Sequence, residues 1–247
     1  MSDYSKGLEV LYIGLDKLNI KITKEQESKL ITYYEMLVEK NKVMNLTAIT
    51  EFNEVIVKHF LDSVSLVKVV DASKLQNDIS IIDVGTGAGF PGIPLKIVFP
   101  NIKVVLLDSL NKRLVFLNEV IEKLGLTDIS TVHGRSEDIA RLPQYREKFD
   151  LCVSRAVANL ATLSELCLGF VKVDGDFISY KAGDSNEEID KASVAIKKLS
   201  GKIQQIVEFK LPNSDLNRVF VDIKKIKNIS KSYPRKAGIP SKEPLGL

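Results

Sequence analysis

The stretch Ile79-Ser80-Ile81-Ile82-Asp83-Val84-Gly85-Thr86-Gly87-Ala88-Gly89-Phe90-Pro91-Gly92 decides the reading of this chain. Its first half is a continuous apolar run, the pattern of a strand buried on both faces. Its second half is a turn rich in glycine and proline that opens a short helix through Leu95 and Val98, stopped by Pro100. Glycine permits positive φ and close approach of the backbone to a ligand, and a proline just inside a helix is pre-organised for its first turn. Ligands of doubly wound sheets bind at such strand-to-helix turns.

The spacing discriminates among ligands. A dinucleotide fingerprint needs G-x-G-x-x-G, but Phe90 stands at the third position and glycine falls one residue early, at Gly89. No Gly-Lys-Ser/Thr follows, which excludes a phosphate-cradling loop of that type. Asp83, inside the motif, repels a pyrophosphate and favours a cationic ligand. Further on, Asp108 ends a second apolar run, Lys103–Asp108, where a carboxylate accepts both hydroxyls of a ribose. Ribose without pyrophosphate, beside an acid, describes S-adenosyl-L-methionine. The competing reading is a structural glycine turn with a surface aspartate, which the strand context and Asp108 disfavour.

Outward from this loop, strands alternate with helices. After 103–108 come an amphipathic helix through Leu114, Leu117, Ile121 and Leu124, closed by Gly125, and strands at 129–133 and 149–154. A helix through Leu160, Leu163 and Leu166 leads to a fifth strand at 176–181, and a charged helix covers 186–200. Repeated βα units predict an α/β fold: a Rossmann-like, doubly wound sheet, mostly parallel. Two last runs between 204 and 226, joined without a helix, predict a C-terminal antiparallel hairpin.

Residues 1–75 read as a helical extension and 76–247 as the ligand-binding domain with a basic end. Leu8, Leu11, Tyr12, Leu15 and Leu18 recur at helical spacing. Thr23 and Gln26 form a capping box for a second helix with Leu30, Tyr34 and Leu37 inward. Thr50 is expected to cap a third, with Phe52, Ile56, Phe60 and Val67 inward.

Composition sets the outer limits. The 247 residues are 45% apolar and 27% charged, which excludes wholesale disorder and suffices for one large core. No run is long enough to span a bilayer, and the start carries no basic stretch followed by an apolar one, so a cytoplasmic protein is expected. Two cysteines, Cys152 and Cys167, fall inside apolar elements and read as core; with only His59 and His133 besides, no metal site is expected. His59 reads as a local partner of Asp62, and His133 as a polar group near the ligand loop. The net charge of +3 conceals an asymmetry: residues 218–247 hold eight Lys/Arg against two acids, a net +6, leaving −3 for the rest. That end fits an anionic partner or a solvated surface; charge alone leaves both open.

Asp83-Val-Gly85-Thr-Gly87-Ala-Gly89 resembles the first motif of class I S-adenosylmethionine-dependent methyltransferases. The longer DVGTGAGFPGIPL, with NLTAIT (45–50), KHFLDS (58–63), VHGRSED (132–138), VSRAVANL (153–160), YKAG (180–183) and PRKAGIPSKEPL (234–245), resembles the GidB family of small-subunit ribosomal RNA guanine-N7 methyltransferases. The resemblance implies that the cofactor's methionine part lies over Gly85 and Gly87 with Phe90 at the loop's far side. It implies ribose at Asp108, adenine at Ser136 and Glu137, and Arg155 at the end shared by cofactor and substrate, as the one candidate catalytic residue. It also implies 16S ribosomal RNA as substrate, within the small ribosomal subunit, with Lys181, Arg235 and Lys236 as phosphate contacts. A monomer is expected, since no large exposed apolar stripe demands a partner.

Other methyl acceptors fit less well. Amine methylation commonly uses an Asn/Asp-Pro-Pro-aromatic sequence after the fourth strand, where this chain has Ser154-Arg155-Ala156. Methylation of pyrimidine carbon five needs a cysteine nucleophile beside the substrate. Guanine N7 carries an available lone pair and needs no base, so positioning supplies most of the catalysis. Two alternatives stand beside this reading: an RNA-binding ribosome-assembly factor without activity, and a methyltransferase acting on a small molecule or protein.

Overall fold

A computed structural model describes residues 4–156, 158–183 and 185–247. Seven strands form one sheet in the order β3-β2-β1-β4-β5-β7-β6. They are β1 (Ser80–Val84), β2 (Lys103–Asp108), β3 (Ile129–His133), β4 (Phe149–Ser154), β5 (Val171–Ala182), β6 (Gly201–Lys210) and β7 (Asn217–Lys225). The first five are parallel, and β7 runs antiparallel to both β5 and β6. The doubly wound sheet and its closing hairpin are therefore as expected. The strand order reverses between β1 and β4, and the carboxyl ends of β1, β2 and β4 open there into a crevice.

Alternation along the strands explains why both faces are covered. Ile81, Leu106, Leu151, Val153 and Ile178 point into one buried cluster, and Ile82, Leu107, Cys152 and Phe177 into the other. The helices Leu160–Leu168 and Asn186–Lys198 close the second face. The first face is shared: Leu114 and Leu117 of Asn111–Lys123 join the same cluster as Leu11 and Leu15 of Ser5–Lys17, and as Leu30, Tyr33 and Leu37 of Lys24–Asn41. The N-terminal helices thus pack into the core of the sheet. No helix among the described residues is long and apolar enough to cross a membrane.

The capping box at Thr23 forms as the spacing predicts, and Gln26 does a second task. Its Nε2 donates to the carbonyls of Ile97 (2.8 Å) and Val98 (3.1 Å), satisfying the orphan acceptors at the end of helix Gly92–Val98, the helix that follows the glycine loop. Three expectations need correction. Tyr33, fully buried, takes the inward place assigned to Tyr34. The helix after residue 50 is capped by Glu51, whose carboxylate accepts from Glu54 N at 2.9 Å, and not by Thr50. That helix also changes pitch, passing through a π-helical stretch, Ile56–Leu61, which re-aims the side chains beyond it. Finally, β5 begins at Val171, five residues before the expected start, and β6 begins at Gly201.

Candidate active site

The glycine loop is held in three directions. Gly85 N and Thr86 N both donate to Leu107 O, at 2.9 and 3.1 Å, tying the loop to the end of β2. Behind it, Asp83 is fully buried, and its Oδ2 accepts from Thr86 Oγ1 (2.7 Å) and Gly92 N (2.9 Å). From above, the Tyr33 hydroxyl donates to Ala88 O at 2.5 Å. Gly89 has φ +103°, and a β-carbon there would lie 2.7 Å from that hydroxyl, so glycine is required twice over. Burial raises the Asp83 carboxyl from 3.8 to about 6, against the lowering by its two donors. Its Oδ1 has no partner.

In front of the loop lies a cavity of about 650 Å³, large enough for a nucleoside-sized ligand. Gly85, Gly87, Phe90, Asp108, Ser136, Glu137 and Arg155 all line it, brought together from four separate turns. Asp108, only 4% exposed, ends β2 at the cavity's middle. Its Oδ2 accepts from Gly87 N at 3.0 Å and Arg113 Nη1 at 3.3 Å, and its Oδ1 from Leu110 N at 2.9 Å. Ser136 Oγ donates to Leu166 O (2.5 Å) and Glu137 Oε1 accepts from Gly238 N (2.8 Å), so both close that end of the cavity with their side chains engaged. Ser241, from the C-terminal segment, completes the wall.

The opposite end is built from the N-terminal helices. His59 stacks on Phe90, with ring centroids 4.4 Å apart and 19° between planes, and the Arg155 guanidinium lies over the Phe90 ring, 5.9 Å from its centroid. The His59 ring nitrogens meet Thr47 Oγ1 and Lys58 O, each at 3.0 Å. Burial, reinforced by the Arg155 charge, pushes its pKa from 6.5 to about 3, so the ring is neutral at working pH. Arg155 Nη2 is bound by Asp62 (3.0 Å) and Lys58 O (3.1 Å).

Several site expectations change in this light. Asp83 does not line the cavity; it braces the loop from behind. His59 does not pair with Asp62, which is instead bound by Arg155 and Arg218, because the π-helical turn separates the two faces. His133 does stand close to the cavity as expected, exposed and with its Nε2 3.1 Å from the carbonyl of the lining residue Ser109, without lining the cavity itself. Lys181 Nζ is engaged by Glu188 Oε1 (2.7 Å) and Ala158 O (2.9 Å) in a neighbouring cavity. Arg235 is clamped by the fully buried Glu165 through Nε and Nη2, at 3.0 and 2.7 Å, which leaves it anchoring the C-terminal segment; Lys236 beside it is exposed. Cys152 and Cys167 are buried, as expected. Sequence reasoning passed over Thr86, Arg113 and Ser241 as cavity residues; Thr86 and Ser241 lie inside quoted motifs and carried a local signal, Arg113 did not.

Comparison with known proteins follows the same lines. The family model for GidB, described as rRNA small subunit methyltransferase G, matches residues 26–217. A protein of that name from Lachnoclostridium phytofermentans is 52% identical over 94% of this chain and 95% of its own length. Another, from Acetivibrio thermocellus, is 51% identical over 96% of both chains. Among solved structures, a putative sarcosine dimethylglycine methyltransferase from Galdieria sulphuraria superposes with a TM-score of 0.54 at 13% identity, covering 72% of this chain and 89% of that one. TYW2 of P. horikoshii in complex with MeSAdo gives 0.51 at 16% identity, covering 67% and 61%, and both show the same fold. With the match spanning most of its length, the chain belongs to the GidB family of rRNA small subunit methyltransferase G proteins.

Proposed function

We propose that this protein transfers a methyl group from S-adenosyl-L-methionine to N7 of a guanine in 16S ribosomal RNA. The observation that carries the reading is the cavity in which the glycine loop, with its amides turned to β2, meets the buried carboxylate of Asp108. The residues fit the cofactor. A β-carbon at Gly87 would meet nothing nearer than Gly85 O at 4.0 Å, so the space over the loop is open to a ligand. Asp108 keeps acceptor capacity for ribose hydroxyls beyond its two backbone donors, and the wall at Ser136, Glu137 and Leu166 suits a flat ring.

When bound, the cofactor supplies an electrophilic methyl group on a sulfonium. The chain's own part is to hold and to exclude. Gly85 and Gly87 admit the amino-acid part, and Asp108 fixes the ribose. Arg155, Phe90 and His59 form the end from which the acceptor approaches. A His59 ring that stays neutral down to about pH 3 is no proton carrier at working pH, in keeping with an acceptor nitrogen that has no proton to lose. In-line positioning of acceptor and methyl then provides the rate, a contribution on the order of 7–11 kcal/mol at near-attack geometry. Exposed Lys227, Lys231, Lys236 and Lys242 supply the basic surface for phosphates in place of Arg235, which Glu165 already binds, with the particle bearing the RNA being the small ribosomal subunit.

The test is direct: incubate the protein with labelled S-adenosyl-L-methionine and small subunits lacking the modification, then resolve the nucleosides. Label in 7-methylguanosine is expected; label elsewhere, or none, refutes the reading.

A further inference from the structure

The cofactor-sized cavity has a neighbour. A second cavity of about 330 Å³ is walled by Asp62, Tyr180, Lys181, Glu188 and Arg218, and it shares Arg155 and Ala156 with the first. Arg155 leaves the end of β4. Arg218 stands at the start of β7 opposite Ala182, at the same edge of the sheet. Between the two guanidinium groups sits one carboxylate from the N-terminal helices. Asp62 Oδ2 lies 3.0 Å from Arg155 Nη2, and Asp62 Oδ1 accepts from Arg218 Nε at 2.7 Å.

Three features set this trio apart from a surface ion pair. The Asp62 side chain is 3% exposed, and the arginines only 19% and 16%. The carboxylate is delivered by the residue after a π-helical stretch, a departure from regular helix that concentrates at functional sites. And the two arginines would repel each other and turn toward solvent without a shared acceptor, whereas a planar guanidinium bound through one edge presents its remaining donors in a fixed direction. Asp62 itself touches the second cavity but not the first.

We propose that Asp62 is a positioning residue for methyl transfer: by holding Arg155 and Arg218 at the seam of the two cavities, it fixes the donors that receive the target nucleotide. This rests on the methyl-transfer reading above. A carboxylate that only pins the N-terminal helices to the sheet would affect folding, and cofactor binding along with it. A positioning carboxylate affects the transfer step while cofactor affinity stands.

The experiment compares the full chain with Asp62→Asn. Calorimetry reads S-adenosyl-L-methionine affinity, thermal unfolding reads integrity, and transfer to unmodified small subunits gives kcat and KM separately. Affinity is expected to stay within about twofold while kcat/KM for RNA falls on the order of 10²-fold, the size of effect expected of a misplaced contact. Adding Asp62→Asn to Arg155→Gln is expected to cost little more than Arg155→Gln alone, since the two act as a unit. Transfer near the unsubstituted rate, an equal loss of cofactor affinity and rate, or losses that multiply in the double variant would each overturn the proposal. If Asp62→Asn does not fold, Arg218→Gln takes its place: a loss of about tenfold in transfer with cofactor affinity kept supports the trio, and an unchanged rate overturns it. An unsubstituted chain that binds cofactor but forms no 7-methylguanosine refutes the methyl-transfer reading itself, a result separate from any behaviour of the variants.

Discussion

Two walls of the cavity are held by different means. The glycine-loop wall is backbone: it continues the hydrogen bonds of the sheet through Gly85 N and Thr86 N to Leu107 O, and its shape comes from residues without side chains. The other wall receives Ser241 from a C-terminal strap hung on side chains. Glu165 clamps Arg235, Glu137 accepts from Gly238 N, Thr162 Oγ1 donates to Pro240 O at 2.9 Å, and Arg146 reaches the carbonyls of Ile229, Ser230 and Tyr233. A wall of backbone fails when something is added to it. A wall of ion pairs fails when a charge is taken away.

The largest expected effect breaks the first wall. Gly87→Val sends a branched side chain into the space in front of the loop, at a residue whose φ of +60° already strains any L side chain. Overlap with the ligand of about 3 kcal/mol lowers S-adenosyl-L-methionine affinity on the order of 10²-fold in calorimetry, with the fold retained. Near-native affinity would show that the loop does not face the cofactor. Next comes the second wall. Glu165→Gln removes the buried counter-charge of Arg235 and is expected to cost about 3 kcal/mol in urea unfolding, the low end for a broken buried pair because Arg235 keeps some solvent. Its loss of cofactor affinity should be the smaller of the two. An unchanged unfolding midpoint would mean that the strap holds without its ion pair.

The same contrast explains what the amino-acid sequence makes legible. Strands β2, β3 and β4 have the predicted ends because each is a short apolar or β-branched stretch bounded by polar or turn residues, and the pattern is local. The glycine motif is equally local, and so is Asp108. The strap is not. Arg235 meets Glu165 across 70 positions, and a count of positive charges cannot distinguish a guanidinium already bound from one free to meet phosphate. His59 and Asp62, three residues apart, suggested a pair on one helical face; the π-helical turn, which no periodicity announces, sends one to Phe90 and the other to Arg155. The early start of β5 was hidden by Asp174, at φ +64°, and by Gly175, both of which weaken a strand pattern.

The smallest effect separates two titrating groups of opposite sign, His59 stacked on Phe90 at the helical end of the cavity and Asp83 behind the loop. His59 has a folded pKa of about 3, below its ordinary 6.5, so its contribution to stability is present above pH 6.5 and is lost as pH falls toward 3. Asp83 has a folded pKa of about 6, above its ordinary 3.8, so its contribution is present below 3.8 and is lost as pH rises through 6. Between pH 6 and 4 the two slopes oppose each other, and together the two groups give the protein little net acid dependence. His59→Gln removes one slope and leaves the other. Relative to the unsubstituted chain, the variant should gain stability on acidification from pH 6 to pH 4, by on the order of 1 kcal/mol per pH unit in urea unfolding. A difference that stays flat across that range would mean that His59 reaches water and titrates normally, and that the helical end of the cavity is open.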